Sequence, residues 1–173
     1  KQMDQFNIFL IGFMGAGKST IAKVLKEKLN VPLCEMDEMI AEQQKMAISD
    51  IFAQYGETYF RDLETQLVKD ISEKDGVIVS CGGGAVLREE NVSFMKENGR
   101  IVLLSATPET IYERVRYSKD RPILNGHMNV EYIRELMEKR RSRYESVADL
   151  AVATDGRSAE TIADEIIAKL REA

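Results

Sequence analysis

Short unbroken apolar runs alternate along this chain with segments whose apolar residues recur at helical spacing. Val77-Ile78-Val79 and Ile101-Val102-Leu103-Leu104 turn no polar side chain towards water, as expected of strands covered on both faces in a parallel sheet. Runs of this kind predict strands over 6–11, 31–36, 76–81, 100–105 and 150–154. The intervening segments predict helices over 18–29, 48–55, 57–73, 89–97, 108–117, 130–143 and 159–171. In the first of these Ile21, Val24, Leu25 and Leu29 share a face, and in the third Leu63, Leu67 and Ile71 do so. Pro108 after Thr107 suits a first helical turn. This alternation implies an α/β domain of three layers. The stretch 118–129, with Pro122 and Gly126, has no strong period and reads as a long loop. No repeat, low-complexity stretch or linker divides the chain, so 1–173 reads as one domain.

Composition narrows the function classes. A chain of 173 residues can bury a core without disulfides or a structural metal. Hydrophobic residues make up 44% and charged residues 31%, with a formal net charge of −5. Binders of nucleic acid or anionic lipid usually present a broad positive field, which this balance does not supply. Any bound anion must be held by a local cluster of Lys and Arg. Cys34 and Cys81 are too few for a disulfide framework, and no Cys/His spacing suggests zinc. His127 is the lone histidine. No apolar run approaches 18 residues and no signal-peptide pattern opens the chain. The expectation is a cytoplasmic monomer acting on small molecules, without nucleic-acid or membrane partners.

The sharpest motif is Gly12-Phe13-Met14-Gly15-Ala16-Gly17-Lys18-Ser19, which satisfies GxxxxGK[ST] between an apolar strand and an amphipathic helix. Gly15 and Gly17 let the backbone N–H groups curl towards phosphate oxygens at a helix N-terminus. Lys18 supplies a compact charge for the β/γ-phosphates, and the Ser19 hydroxyl can ligate Mg²⁺. A plain glycine turn does not account for the full eight-residue match in that context. The sequence contains neither the Asn-Lys-x-Asp nor the DxxG of a GTPase. The strand over 76–81 carries Ser80 where a Walker-B strand would end in an acid, so an acid must come from elsewhere.

Candidate acceptor chemistry follows the other strands. Glu35-Met36-Asp37 closes the second strand prediction, where carboxyl ends of parallel strands share a crevice. An acid there can take a proton from a hydroxyl or orient Mg²⁺ through water, and the bland alternatives are solvated loop acids or a helix cap. Arg61 lies on a helix beside that crevice, and Arg140, Arg141 and Arg143 cluster near the end of another. Guanidinium forks pair with carboxylates, so converging arginines suggest an anionic substrate, although a solvated face explains any one of them. Gly82-Gly83-Gly84 follows the third strand and permits close backbone approach or φ > 0. Arg121, before Pro122 in the long loop, could close over a transferring phosphoryl group. His127 reads as a surface residue, and Cys34 and Cys81 as small buried apolar ones.

Taken in order, these features resemble the shikimate kinase family over nearly the whole chain. The resemblance is carried by the opening Asn7-Ile8-Phe9-Leu10-Ile11 with its phosphate loop through Thr20, by Asp37, Phe60-Arg61, the triglycine, Arg121-Pro122-Ile123-Leu124, and Arg140 four residues before Tyr144. It implies a P-loop, nucleoside-monophosphate-kinase-like fold, α/β/α with a five-stranded parallel sheet in order 2-3-1-4-5. It also implies an acceptor-binding region about 33–62 and a lid about 114–128. The implied reaction moves the γ-phosphate of ATP, with Mg²⁺, to the 3-hydroxyl of shikimate. On that basis Asp37 would hold the acceptor hydroxyls and act as base. Arg61 and Arg140 would grip the carboxylate, with Gly82, Gly83 and Gly84 lending backbone. Lys18 and Arg121 would stabilise the phosphoryl group. Gly15, Ala16, Gly17, Lys18, Ser19 and Thr20 would bind phosphates, and Arg114 and Arg157 would flank the adenine.

Two positions depart from the family pattern. Glu35 stands where the first Asp of an Asp-x-Asp pair is usual, and its extra methylene bears on the Mg²⁺ contact. Arg141 competes with Arg140 in an unusually basic stretch. A related kinase of another carboxylate-bearing alcohol, such as gluconate, satisfies the same residues, and a non-catalytic nucleotide switch is the reading from a different class.

Overall fold

The computed structural model of the chain describes residues 5–117 and 129–172. Five strands form one sheet: β1 Asn7–Ile11, β2 Leu33–Glu35, β3 Ile78–Ser80, β4 Gly99–Ser105 and β5 Leu150–Ala153. Their order is β2-β3-β1-β4-β5 and every pairing is parallel. The helices among the described residues are α1 Lys18–Leu29, α2 Met36–Gln44, α3 Ile48–Ser72, α4 Glu89–Glu97, α5 Pro108–Val115, α6 Val130–Val147 and α7 Ala159–Glu172. None is long and apolar enough to cross a membrane.

The unbroken apolar runs are explained by two cores, one on each sheet face. Ile8 and Leu10 of β1 join Val102 and Leu104 of β4 in a cluster with Leu25 of α1 and Ile166 of α7. Phe9 and Ile11 alternate into the opposite cluster, with Ile101, Leu103, and Leu67 and Ile71 of α3. Helix α6 serves both: Ile133 belongs to the first cluster, Tyr144 and Val147 to the second. Its C-terminal half thereby comes to the second face, alongside the ends of β1 and β3.

Element ends follow local chemistry. The Thr107 hydroxyl accepts from Thr110 N at 3.2 Å with Pro108 in the first turn of α5, and the Asn129 side chain caps α6 through Tyr132 N at 2.8 Å. Gly56 breaks α3 at φ 86°, so the 48–55 and 57–73 predictions appear as two segments across a kink.

Three differences stand out. The second strand stops at Glu35, and α2, absent from the sequence reading, begins at Met36 with Asp37 and Glu38 in its first turn. Asp37 therefore sits on a helix start rather than a strand end. Only Met36 and Ile40 of α2 are buried, too thin an apolar stripe to stand out from a loop. The predicted end of α6 at 143 also falls one turn short of Val147.

Asn7, fully buried at the start of β1, ties the sheet to the end of α3. Its amide donates to Ile71 O (3.1 Å) and Lys74 O (3.0 Å) and its oxygen accepts from Val77 N (3.0 Å). Val77 N is the group that a truncation strands. Asn7→Ala should lower folding stability by about 2 kcal/mol, seen as a lower urea midpoint at unchanged m.

Candidate functional site

In the sheet, β1 and β3 are neighbours, with Leu10 opposite Ser80 and Cys81 N donating to Leu10 O at 3.1 Å. The phosphate loop leaves β1 and the triglycine leaves β3, so the two turns emerge side by side at the carboxyl edge. Between them lies a cavity of about 540 Å³ lined by Gly15, Gly17, Lys18, Ser19 and Thr20, by Glu35, Asp37 and Glu38, by Ser80, Cys81, Gly82 and Gly83, and by Arg114.

Gly15 (φ 80°) and Gly17 (φ 95°) occupy the left-handed region that favours glycine, which lets the loop curl into α1. Lys18 Nζ donates to Gly12 O at 2.5 Å and Phe13 O at 3.4 Å, lying over the loop it follows. Ala16 is buried beneath the turn. Arg114 donates to Gly15 O at 2.9 Å and to the Thr154 hydroxyl at 3.1 Å, which docks α5 on the loop. Arg157 does not line this cavity; it donates to Ala153 O and pairs with Glu165 of α7.

Where β3 offers only Ser80, an acid stands on the neighbouring strand. Glu35 is paired in register with Ser80, and the Ser19 hydroxyl donates to Glu35 Oε2 at 2.9 Å with Ser80 Oγ at 3.4 Å. This all-oxygen set suits Mg²⁺, a hard cation commonly held by one or two protein oxygens together with substrate phosphate and water.

Three candidate acceptor residues converge on the triglycine. A Cβ built on Gly82 would lie 2.9 Å from Asp37 Oδ1, one on Gly83 2.9 Å from Arg140 Nη1, and one on Gly84 2.5 Å from Arg61 Nη1. None of the three glycines has φ > 0. The sequence allowed either reason for a triglycine, and the structure selects close approach: side chains from α2, α3 and α6 occupy the space where a methyl would be.

Arg61 is tied on its own helix to Glu64 at 3.0 Å and Glu57 at 3.3 Å. Glu64, absent from the sequence reading, is 1% exposed and extends to within 3.3 Å of the Gly82 Cβ position. Its signal was a carboxylate on the buried stripe of Phe60, Leu67 and Ile71. Burial pushes the Glu64 pKa up, and the Arg61 guanidinium opposes that shift. Asp37 is likewise pushed above 3.8 by desolvation against the cavity wall, with Lys18 and then Arg61 pulling it down. A carboxylate held between those two cations is a hydrogen-bond acceptor of raised basicity.

The competing arginines of α6 separate cleanly. Arg141 is 65% exposed and pairs with Glu138. Arg143 donates to Val86 O at 2.6 Å and pairs with Glu89. Arg140 is the one that lies across Gly83. Arg121 and His127 lie outside the described residues.

Comparison with known proteins identifies the family. A family model described as shikimate kinase matches residues 14–171. A shikimate kinase of Persephonella marina is 41% identical over 165 residues, covering 95% of this chain and 99% of that protein. One of Sulfurihydrogenibium sp. is 39% identical, covering 95% and 98%. The structure of shikimate kinase from Acinetobacter baumannii in complex with shikimate superposes with a TM-score of 0.90 at 30% identity, covering 97% of this chain and 94% of that one. By sequence and by fold, the chain belongs to the shikimate kinase family.

Proposed function

We infer that this protein is a shikimate kinase, transferring the γ-phosphate of ATP to the 3-hydroxyl of shikimate to give shikimate 3-phosphate and ADP. The observation that carries this reading is the meeting of Asp37, Arg61 and Arg140 at one triglycine turn beside Lys18. An acceptor lying on the triglycine would meet two guanidinium groups for its carboxylate and one carboxylate for its hydroxyls.

The division of labour follows from chemistry. Backbone N–H groups of 15–20 and the start of α1 bind the triphosphate. Lys18 leaves the loop carbonyls for the β/γ-phosphates and neutralises charge as the phosphoryl group moves. Ser19 and Glu35 would hold Mg²⁺, which would supply charge to offset the repulsion among phosphate oxygens. Asp37 accepts a hydrogen bond from the attacking hydroxyl and takes its proton as the new P–O bond forms. Arg61 and Arg140 fix the far end of the acceptor, so the hydroxyl is presented in line rather than found by diffusion.

The deciding experiment measures ADP release with a panel of acceptors and identifies the product by phosphorus NMR. Shikimate should give the highest kcat/KM, and a higher value for gluconate or another hydroxy acid would overturn the reading.

Gly84→Ala tests the close approach. Its methyl would displace the Arg61 guanidinium, so KM for shikimate should rise at least about tenfold while KM for ATP stays near wild type. Equal losses on both substrates would remove Arg61 from the acceptor side.

The Asp37 carboxyl should titrate above 3.8 in the ligand-free enzyme, followed by carbon NMR of labelled aspartate. Because its pKa is raised, the ionised form that accepts the proton is lost as pH falls through a midpoint above the ordinary value. Arg61→Ala removes one of the two downward pulls and should move that midpoint further up. A downward move would contradict the assignment.

A further inference from the structure

Arg61 and Arg140 reach the same turn but are held in different ways. Two carboxylates, Glu57 and Glu64, pair with Arg61. Among the described residues no carboxylate pairs with Arg140, and its companion is a phenol. Tyr144 stands one turn further along α6, on the same face. It is 5% exposed, and its hydroxyl donates to Gly83 O at 2.6 Å. Gly12 O of the phosphate loop lies 3.4 Å from the same oxygen.

A phenol has one proton and lone pairs to spare, while a guanidinium has donors only. With the Tyr144 proton committed to Gly83, its oxygen is left to accept, and the Arg140 guanidinium lies beside it over the same glycine, Arg140 Nη1 2.9 Å and the Tyr144 oxygen 3.8 Å from the Gly83 Cβ position. Burial raises the Tyr144 pKa, so the group stays neutral at physiological pH even with that cation beside it. The consequence is electrostatic. A carboxylate partner would aim Arg140 but cancel the charge that a substrate carboxylate must meet. A neutral oxygen aims it and leaves the charge in place.

We propose that Tyr144 is a positioning residue of the acceptor site, whose hydroxyl bridges the Arg140 guanidinium and the Gly83 carbonyl and so holds an uncancelled positive charge over the triglycine for the substrate carboxylate. This rests on the shikimate kinase reading. Its location beside Gly12 O also anchors the clamp against the turn that binds the triphosphate.

The test is steady-state kinetics of Tyr144→Phe, which keeps the ring in its core and removes only the hydroxyl. KM for shikimate should rise about tenfold, the value of one lost hydrogen bond to a charged group, with a smaller change in kcat and none in KM for ATP. Preference for shikimate over its methyl ester should shrink by a similar factor. In an Arg140→Ala background the same substitution should add nothing. A merely structural tyrosine would lower the melting temperature and both substrates' parameters together, and that outcome, or an unchanged KM for shikimate, overturns the proposal. If Tyr144→Phe does not fold, the Tyr144 Cζ resonance of the labelled wild-type protein decides. It should shift with shikimate and not with the methyl ester, and no difference between the two sinks the idea. Wild-type protein inactive on shikimate would instead defeat the parent reading, so the two failures are distinct.

Discussion

Everything at the site depends on the parallel pairing of β1 with β3. That register sets Leu10 opposite Ser80 and delivers two glycine-rich turns to the same edge of the sheet. One turn offers N–H groups, the start of a helix and Lys18. The other offers a surface without side chains onto which α2, α3 and α6 can lean. A slip of one residue in β1 would reverse its faces and exchange Phe9 and Ile11 for Ile8 and Leu10 in the cores, so the packing holds the register firmly. The same adjacency brings Glu35 of β2 beside Ser19, through its register with Ser80.

An acidic chain can still build an anion site because the relevant charges are few and close. Lys18, Arg61, Arg114 and Arg140 gather around one cavity and its rim while much of the negative charge lies elsewhere. Within the site the carboxylates are partitioned. Glu64 is buried against Arg61 and serves that residue, whereas Asp37 faces the cavity with Lys18 and Arg61 nearby. Missing side chains matter as much as charged ones, since a methyl at positions 82, 83 or 84 would collide with Asp37, Arg140 or Arg61 in turn.

Much of the fold was legible because its signals are local. Among the described residues, apolar runs marked all five strands, helical spacing marked six of the seven helices, and Gly56 divided two helical stretches at the kink that separates them. Helix α2 was not legible, since two buried residues in nine give too little contrast to reveal a helix. Its absence from the sequence reading placed Asp37 on a strand end, although the side chain still reaches the crevice from the first turn of the helix.

The sequence by itself determined the phosphate loop, the alternation of strands and helices, and the residue types suited to a carboxylate-bearing alcohol. Each of these is a property of neighbours along the chain, and a motif or a period records it. Only the tertiary structure decided that Arg140 rather than Arg141 lies over Gly83, that Glu35 meets Ser19, and that Glu64 and Tyr144 lie against the triglycine turn. Those choices depend on which face of a helix meets which turn of a distant strand. That is a matter of register and packing between segments dozens of residues apart, and no local pattern encodes it.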